Sequence, residues 1–192
     1  GDTSRSNMII VNLFGAGDYT RIQWAIDNAS EGAIVRVEAG TYYENLLINK
    51  SIDLTGDGWG LTRIVGNGVG NVIDIQGNMV NISNINITGS GSSEDDSGIF
   101  IQGSNNIIEE CDLFNNRNGI SLQSAYYNKI DSNRIFSRGG HSIRLDSSSN
   151  NSILNNRITA TSVPPGPPTE IHNVLYDGEL GGKPGNQSLT YV

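Results

Sequence analysis

A chain of 192 residues, 36% hydrophobic and only 17% charged, is long enough for one sizeable core, and its recurring Ile and Leu are not those of a disordered polymer. The net charge of −8 argues against nucleic acid, whose phosphates need a basic footprint, and against an anionic membrane surface. The single cysteine, Cys111, cannot close an internal disulfide, and no apolar run approaches the roughly 20 residues of a membrane span.

Residues 8–14, Met8 to Phe14, predict an opening strand. Residues 18–30 then change period, with Ile22, Ala25, Ile26 and Ala29 on one helical face. They predict a helix over about 19–29, with Asp18 or Thr20 as N-cap and Trp24 opposite the buried face. Val35-x-Val37, Ile52-x-Leu54, Ile73-x-Ile75, Val80-x-Ile82 and Ile85-x-Ile87 alternate as half-buried strands do. The Gly-rich stretch around Trp59 reads as a loop. It lacks the Gly-Lys-Ser/Thr of a phosphate loop, and no helix pattern opens after it. Gly89 to Ser97 reads as a polar loop extruded between strands.

From residue 98 the chain repeats. Asn106-x-Ile108-x-x-Cys111-x-Leu113 matches Asn128-x-Ile130-x-x-Asn133-x-Ile135 and Asn151-x-Ile153-x-x-Asn156-x-Ile158, with starts at 106, 128 and 151, steps of 22 and 23. Ile99-x-Ile101, Ile120-x-Leu122 and Ile143-x-Leu145 keep the same step. Each unit holds too few apolar residues for a core of its own. Stacked at about 4.8 Å, successive units build one dry column, the architecture of a parallel β-helix. Asn at the bends tolerates left-handed backbone, and Asn133 and Asn156 suit an inward amide ladder, with Cys111 as a small buried thiol in their row. Phe114 and Phe136 align, which predicts stacking at a bend in the core. Val163 to Pro168 interrupts the repeat. The expected domains are therefore a β-helix over 1–162 and an irregular cap or linker over 163–192, with strand-like pieces at 171–176 and 188–192.

Three stretches carry a resemblance. Gly17 to Asp27, Val35 to Asn45 and Ile52 to Gly58 together are similar to the opening of pectin-lyase-like parallel β-helix proteins. The later units resemble NosD-like repeats of bacterial and archaeal surface proteins. The resemblance implies an all-β, right-handed, single-stranded parallel β-helix with an N-terminal capping helix. It fixes no activity, because that superfamily holds lyases, hydrolases, esterases, epimerases and non-catalytic surface domains. The opening also resembles pectinesterases, yet their Asp pair and Arg do not follow. The pectate-lyase Arg motif and the epimerase Tyr-Gly-Phe-Asp-Pro-His are missing as well.

The register places candidate side chains. Asp95, Asp96 and His141, with Arg117 and Arg138, fall near one patch two units long. Asp95-Asp96 and Gly140-His141 faintly resemble polygalacturonases, which implies polysaccharide hydrolysis by paired carboxyls; a polar loop beside a solvated turn is the preferred reading. Phe100, Gln102, Gln123, Arg144 and Asp146 face outward on the second strand row and suit glycan stacking and hydrogen bonding, as does Trp59. Asp112, Arg134 and Arg157 stack in a third row. Sequons at Asn28, Asn49, Asn81, Asn86, Asn150 and Asn186 are glycosylation candidates. No metal or cofactor motif stands out, and Asp53, Asp57 and Asp74 are too scattered to support calcium. The expectation is a non-catalytic extracellular β-helix of surface-layer, sheath or adhesin type, self-associating or glycan-contacting. The alternatives are a polysaccharide hydrolase or lyase and a glycan-binding module of a larger protein.

Overall fold

The structure, a computed structural model, describes residues 7–159 and, as backbone strands, Val174–Asp177 and Ser188–Leu189. The chain winds as a parallel β-helix of about seven turns with three parallel sheets. Sheet A stacks Met8–Val11, Ala33–Val37, Ile52–Gly56, Asn81–Ser83, Ile107–Glu109, Lys129–Asp131, Ser152–Leu154 and Ser188–Leu189. Sheet B stacks Gly40–Tyr43, Thr62–Val65, Asn86–Thr88, Asp112–Asn116, Arg134–Ser137 and Arg157–Thr159. Sheet C stacks Leu46–Ile48, Ile73–Ile75, Ser97–Ile101, Asn118–Gln123, Ile143–Asp146 and Val174–Asp177. The two last-named strands of sheets A and C carry the solenoid into the segment expected to be irregular. Val163 to Pro168 lies outside the described residues.

Alternation decides which residues are inside. Ile108, Ile130 and Ile153 pair in register and are buried, as are Ile99, Ile120 and Ile143 in sheet C. Each such side chain contributes about 1.5–3 kcal/mol through apolar burial. Between the columns run amide ladders. Asn106, Asn128 and Asn151 form one, where each backbone N–H donates to the next Oδ1 at 2.8 Å. Cys111, Asn133 and Asn156 form the other, at 3.0 and 2.9 Å. The left-handed backbone falls one residue earlier than the ladder itself, at Glu110, Ser132 and Asn155. The Asn side chains thus satisfy the bend while the residue before them makes it.

The helix spans Ile22–Asn28 and buries Ile22, Ala25 and Ile26. Its N-cap corrects the expectation. Arg21 occupies that position without a side-chain cap bond, and Asp18 instead accepts the Ile10 N–H. The capping carboxylate is Glu44, from the first winding, which accepts the Ile22 and Gln23 N–H groups at 2.8 and 3.1 Å. Gln23 in turn accepts the Leu47 N–H and donates to the Leu47 carbonyl, closing the open edge of sheet C. A second correction concerns Phe114 and Phe136. They stack at 5.2 Å, but on the outer face of sheet B, where Phe114 is 48% exposed.

Candidate functional site

Parallel register aligns the outward side chains of sheet C as it aligns the inward ones. One row runs Leu47, Asp74, Phe100, Ser121 and Arg144; beside it Gln123 pairs with Asp146. A groove of about 260 Å³ crosses these strands, lined by Asp95, Phe100, Ser121, Leu122, Gln123, Arg144 and Asp146. Phe100, Gln123, Arg144 and Asp146 were expected on this face from the register. Gln102 follows the same strand and is exposed, but it stands outside the groove lining.

One wall is the loop that precedes Ser97–Ile101. Asp96 shapes it: its Oδ2 accepts the Ser93 N–H at 2.9 Å, its own N–H donates to the Ser93 carbonyl, and a Cβ on Gly91 would collide with its carboxylate. Asn118 pins the loop by donating its amide to the Glu94 and Asp96 carbonyls. Asp95 is left at the rim, its side chain 82% exposed. Arg144 reaches back across two windings to meet it at 2.6 Å. Beneath, the Ser97 and Ser121 hydroxyls are 2.7 Å apart. The register does not predict the Asp95–Arg144 contact, because Asp95 belongs to a loop that the repeat does not govern.

Asp96 and Arg117 are neighbours in register across adjacent windings, but their side chains do not pair. The Arg117 guanidinium donates to the Gly139 carbonyl at 2.6 Å, and the Asp96 carboxylate serves its own loop. Arg138 is exposed. His141 lies half-buried beside this cluster. Burial, then the positive charges of Arg144 and Arg117, hold its imidazole below the ordinary histidine value. Burial also raises the Asp74 carboxyl, next to Phe100 in the outward row, against a weaker hydrogen bond from Gln76. The sequence alone marks Asp74 only as one of three scattered carboxylates.

Trp59 is not part of this groove. It lies over the Arg134 guanidinium, 4.6 Å from centroid to carbon, on sheet B. Asp53 lies in a sheet A strand, Asp57 pairs with Arg36 at 2.9 Å, and Asp74 lies on sheet C. Among the described residues no three potential metal-ligating side chains of His, Cys, Asp or Glu gather. Of the sequons, Asn28 and Asn49 are exposed and Asn81 and Asn150 partly so. Asn86 is a correction: it is 6% exposed, with its Oδ1 accepting from Arg63 at 2.9 Å and its Nδ2 facing Asp112 at 3.3 Å, because it belongs to a side-chain ladder on sheet B. Asn186 lies outside the described residues. No helix among the described residues is long and apolar enough to cross a membrane.

Solved structures share the fold. The alginate lyase from Paenibacillus sp. strain FPU-7 is 18% identical with a TM-score of 0.65, over 72% of this chain and 55% of the lyase. The catalytic domain of a GH87 α-1,3-glucanase, solved with tetrasaccharides, is 17% identical with a TM-score of 0.67, over 82% of this chain and 30% of that one. The pectin methylesterase from Aspergillus niger is 16% identical with a TM-score of 0.55, over 84% and 69%. The chain thus spans about half the length of the lyase and under a third of the glucanase. No curated protein matches its sequence. A family profile described as "Right handed beta helix region" matches residues 26–176, well over half the chain. The winding, the three-sheet register and this match together make the chain a member of the right-handed β-helix family.

Proposed function

We propose that this chain is an extracellular, cell-envelope β-helix that holds a glycan in the sheet C groove without cleaving it. The observation that carries the reading is the groove itself: an aromatic face at Phe100, the amide of Gln123 and the charges of Arg144 and Asp146 converge on one cleft of about 260 Å³. Sugars are recognised by such a mix, since their C–H faces stack on rings while hydroxyls bond to amides and charged groups. The non-catalytic part of the reading rests on how the carboxyls are used. Paired carboxyls cleave glycosides when both face the scissile bond. Here Asp95 is ion-paired with Arg144, and Asp96 is spent on folding its own loop. The neighbours named as alginate lyase, α-1,3-glucanase and pectin methylesterase support a sugar polymer as the ligand class.

The test is a panel of neutral and acidic oligosaccharides titrated calorimetrically into wild type, Phe100→Ala and Arg144→Ala. At least one glycan is expected to bind, with both variants about tenfold weaker, roughly 1.4 kcal/mol. Full retention of affinity in both variants contradicts the groove. Release of reducing ends or unsaturated products by wild type, lost in Asp95→Asn or His141→Gln, replaces the binding reading with an enzymatic one.

A further inference from the structure

A second face of the prism carries a different chemistry. On the outside of sheet B, Arg63, Asn86, Asp112, Arg134 and Arg157 pair strand by strand into one continuous row. Side chains link most of it: Arg63 Nε donates to Asn86, Asn86 to Asp112, and Arg134 lies 3.9 Å from the same Asp112 carboxylate. Asp112 is the only carboxylate in this row of five. Among the described residues none lies within ion-pair distance of Arg63 or Arg157. The row therefore has net positive charge on a chain whose total is −8.

Aromatic rings flank it. Phe114 and Phe136 stack at 5.2 Å on the neighbouring outward row, and Phe114 is 48% exposed. Trp59, 45% exposed, covers Arg134 from the other side of the chain's path. Trp59 reaches this face because the turn between sheets A and B in its winding is lengthened by the Asp57–Leu61 excursion, where later windings turn at Glu110, Ser132 or Asn155. Exposed rings beside arginines, repeated on a rigid strand spacing of about 4.8 Å, offer stacking surfaces and anion-binding forks at regular intervals.

We propose that the outer face of sheet B is a second binding surface, for a glycan that carries carboxylate or sulfate groups. The arginine row takes the anions and the rings take the sugar faces. A second copy of this chain is the rival occupant. The anionic glycan is favoured because the positive charge is confined to one linear row with rings alongside, which matches a linear polyanion. The inference does not depend on the sheet C groove.

Native-gel affinity electrophoresis with the full chain tests it, using polygalacturonate for carboxylate, dextran sulfate for sulfate and plain dextran as the neutral polymer. Retardation by at least one anionic polymer, none by dextran, and weakening as salt rises are expected. Arg63→Gln/Arg157→Gln and, separately, Phe114→Ala should each weaken that retardation about tenfold or more, while Arg144→Ala should leave it in place. All substituted positions are at least partly exposed, and circular dichroism checks that the folds are unchanged. No retardation by either anionic polymer overturns the proposal. So does retardation that survives the sheet B variants and falls only in Arg144→Ala, an outcome that would leave the groove standing. Concentration-dependent dimers in sedimentation velocity that the arginine variants abolish would assign the face to a second copy instead, again overturning it.

Discussion

Asn133 makes four contacts from one side chain and its own N–H. Its Oδ1 accepts the Cys111 N–H, its Nδ2 donates to the Ile108 carbonyl and to Asn156, and its N–H donates to Asn156 as well. The contacts to Cys111 and Ile108 are buried and those to Asn156 partly so, and each buried group left unpaired costs about 1–3 kcal/mol. Asn133→Ala is expected to lower the thermal midpoint by about 2–4 °C for each kcal/mol lost, read by circular dichroism. This row was legible in the sequence because an amide, unlike an isoleucine, has one reason to recur every 22 or 23 residues inside a sheet bend. Glu110 and Ser132, which take the left-handed turn, share no residue type and left no pattern to read. Cys111 sits in the amide row with its thiol pushed up to about 12 by burial. It is expected to resist a thiol-specific reagent in native buffer and to react in denaturant; rapid native labelling would contradict its placement. Two titrating groups give opposite pH signatures. His141 binds its proton more weakly folded than unfolded, so stability is full above the ordinary histidine value and is lost as pH falls below it. Asp74 binds its proton more tightly when folded, so stability is lost as pH rises through the carboxylate range. His141→Gln should flatten the acid-side loss in urea melts. Asp74→Asn should be more stable than wild type at pH 7, with no gain below the carboxylate range.

Elements were read well where their signal was internal and poorly where it was supplied from elsewhere. The capping helix shows its period in Ile22, Ala25 and Ile26, and it lies where the pattern predicts. Its cap was missed because Glu44 is 22 residues away and one layer down, a distance at which no local motif operates. A buried carboxylate accepting two first-turn N–H groups joins a cap to a favourable helix dipole. Glu44→Ala is expected to cost about 0.5–2 kcal/mol or more in chemical denaturation, with Glu44→Gln retaining part of it; no loss in either would contradict the assignment. The strands Gly40–Tyr43, Leu46–Ile48 and Thr62–Val65 were likewise not singled out. Their windings depart from the step, the first shorter (Ala33 pairs with Ile52) and the second longer (Asp53 pairs with Asn81), so the repeat could not vouch for them. Trp59 is legible as a ring on a Gly-rich loop, but not over Arg134, because the reach of an insertion across windings is a property of the stack.

At the scale of the molecule, one fact organises the rest: in-register windings turn a one-dimensional repeat into three faces, each with its own rows. The sequence steps were enough to place Phe100, Gln123, Arg144 and Asp146 on a common face, where the structure finds a groove. They did not reveal that Asp95 would meet Arg144 from two windings away, since the extruded loop obeys no repeat. The groove is therefore partly periodic, and readable, and partly the product of one loop braced by Asp96 and Asn118. The direct test of its role is an amide-resolved NMR titration of the 20.6 kDa chain with a bound oligosaccharide from the calorimetric panel. The backbone amides of Phe100, Ser121, Gln123 and Arg144 are expected to shift together, with a shared saturation curve. A ligand that binds and saturates while leaving those four amides unmoved would contradict the assignment of the sheet C groove.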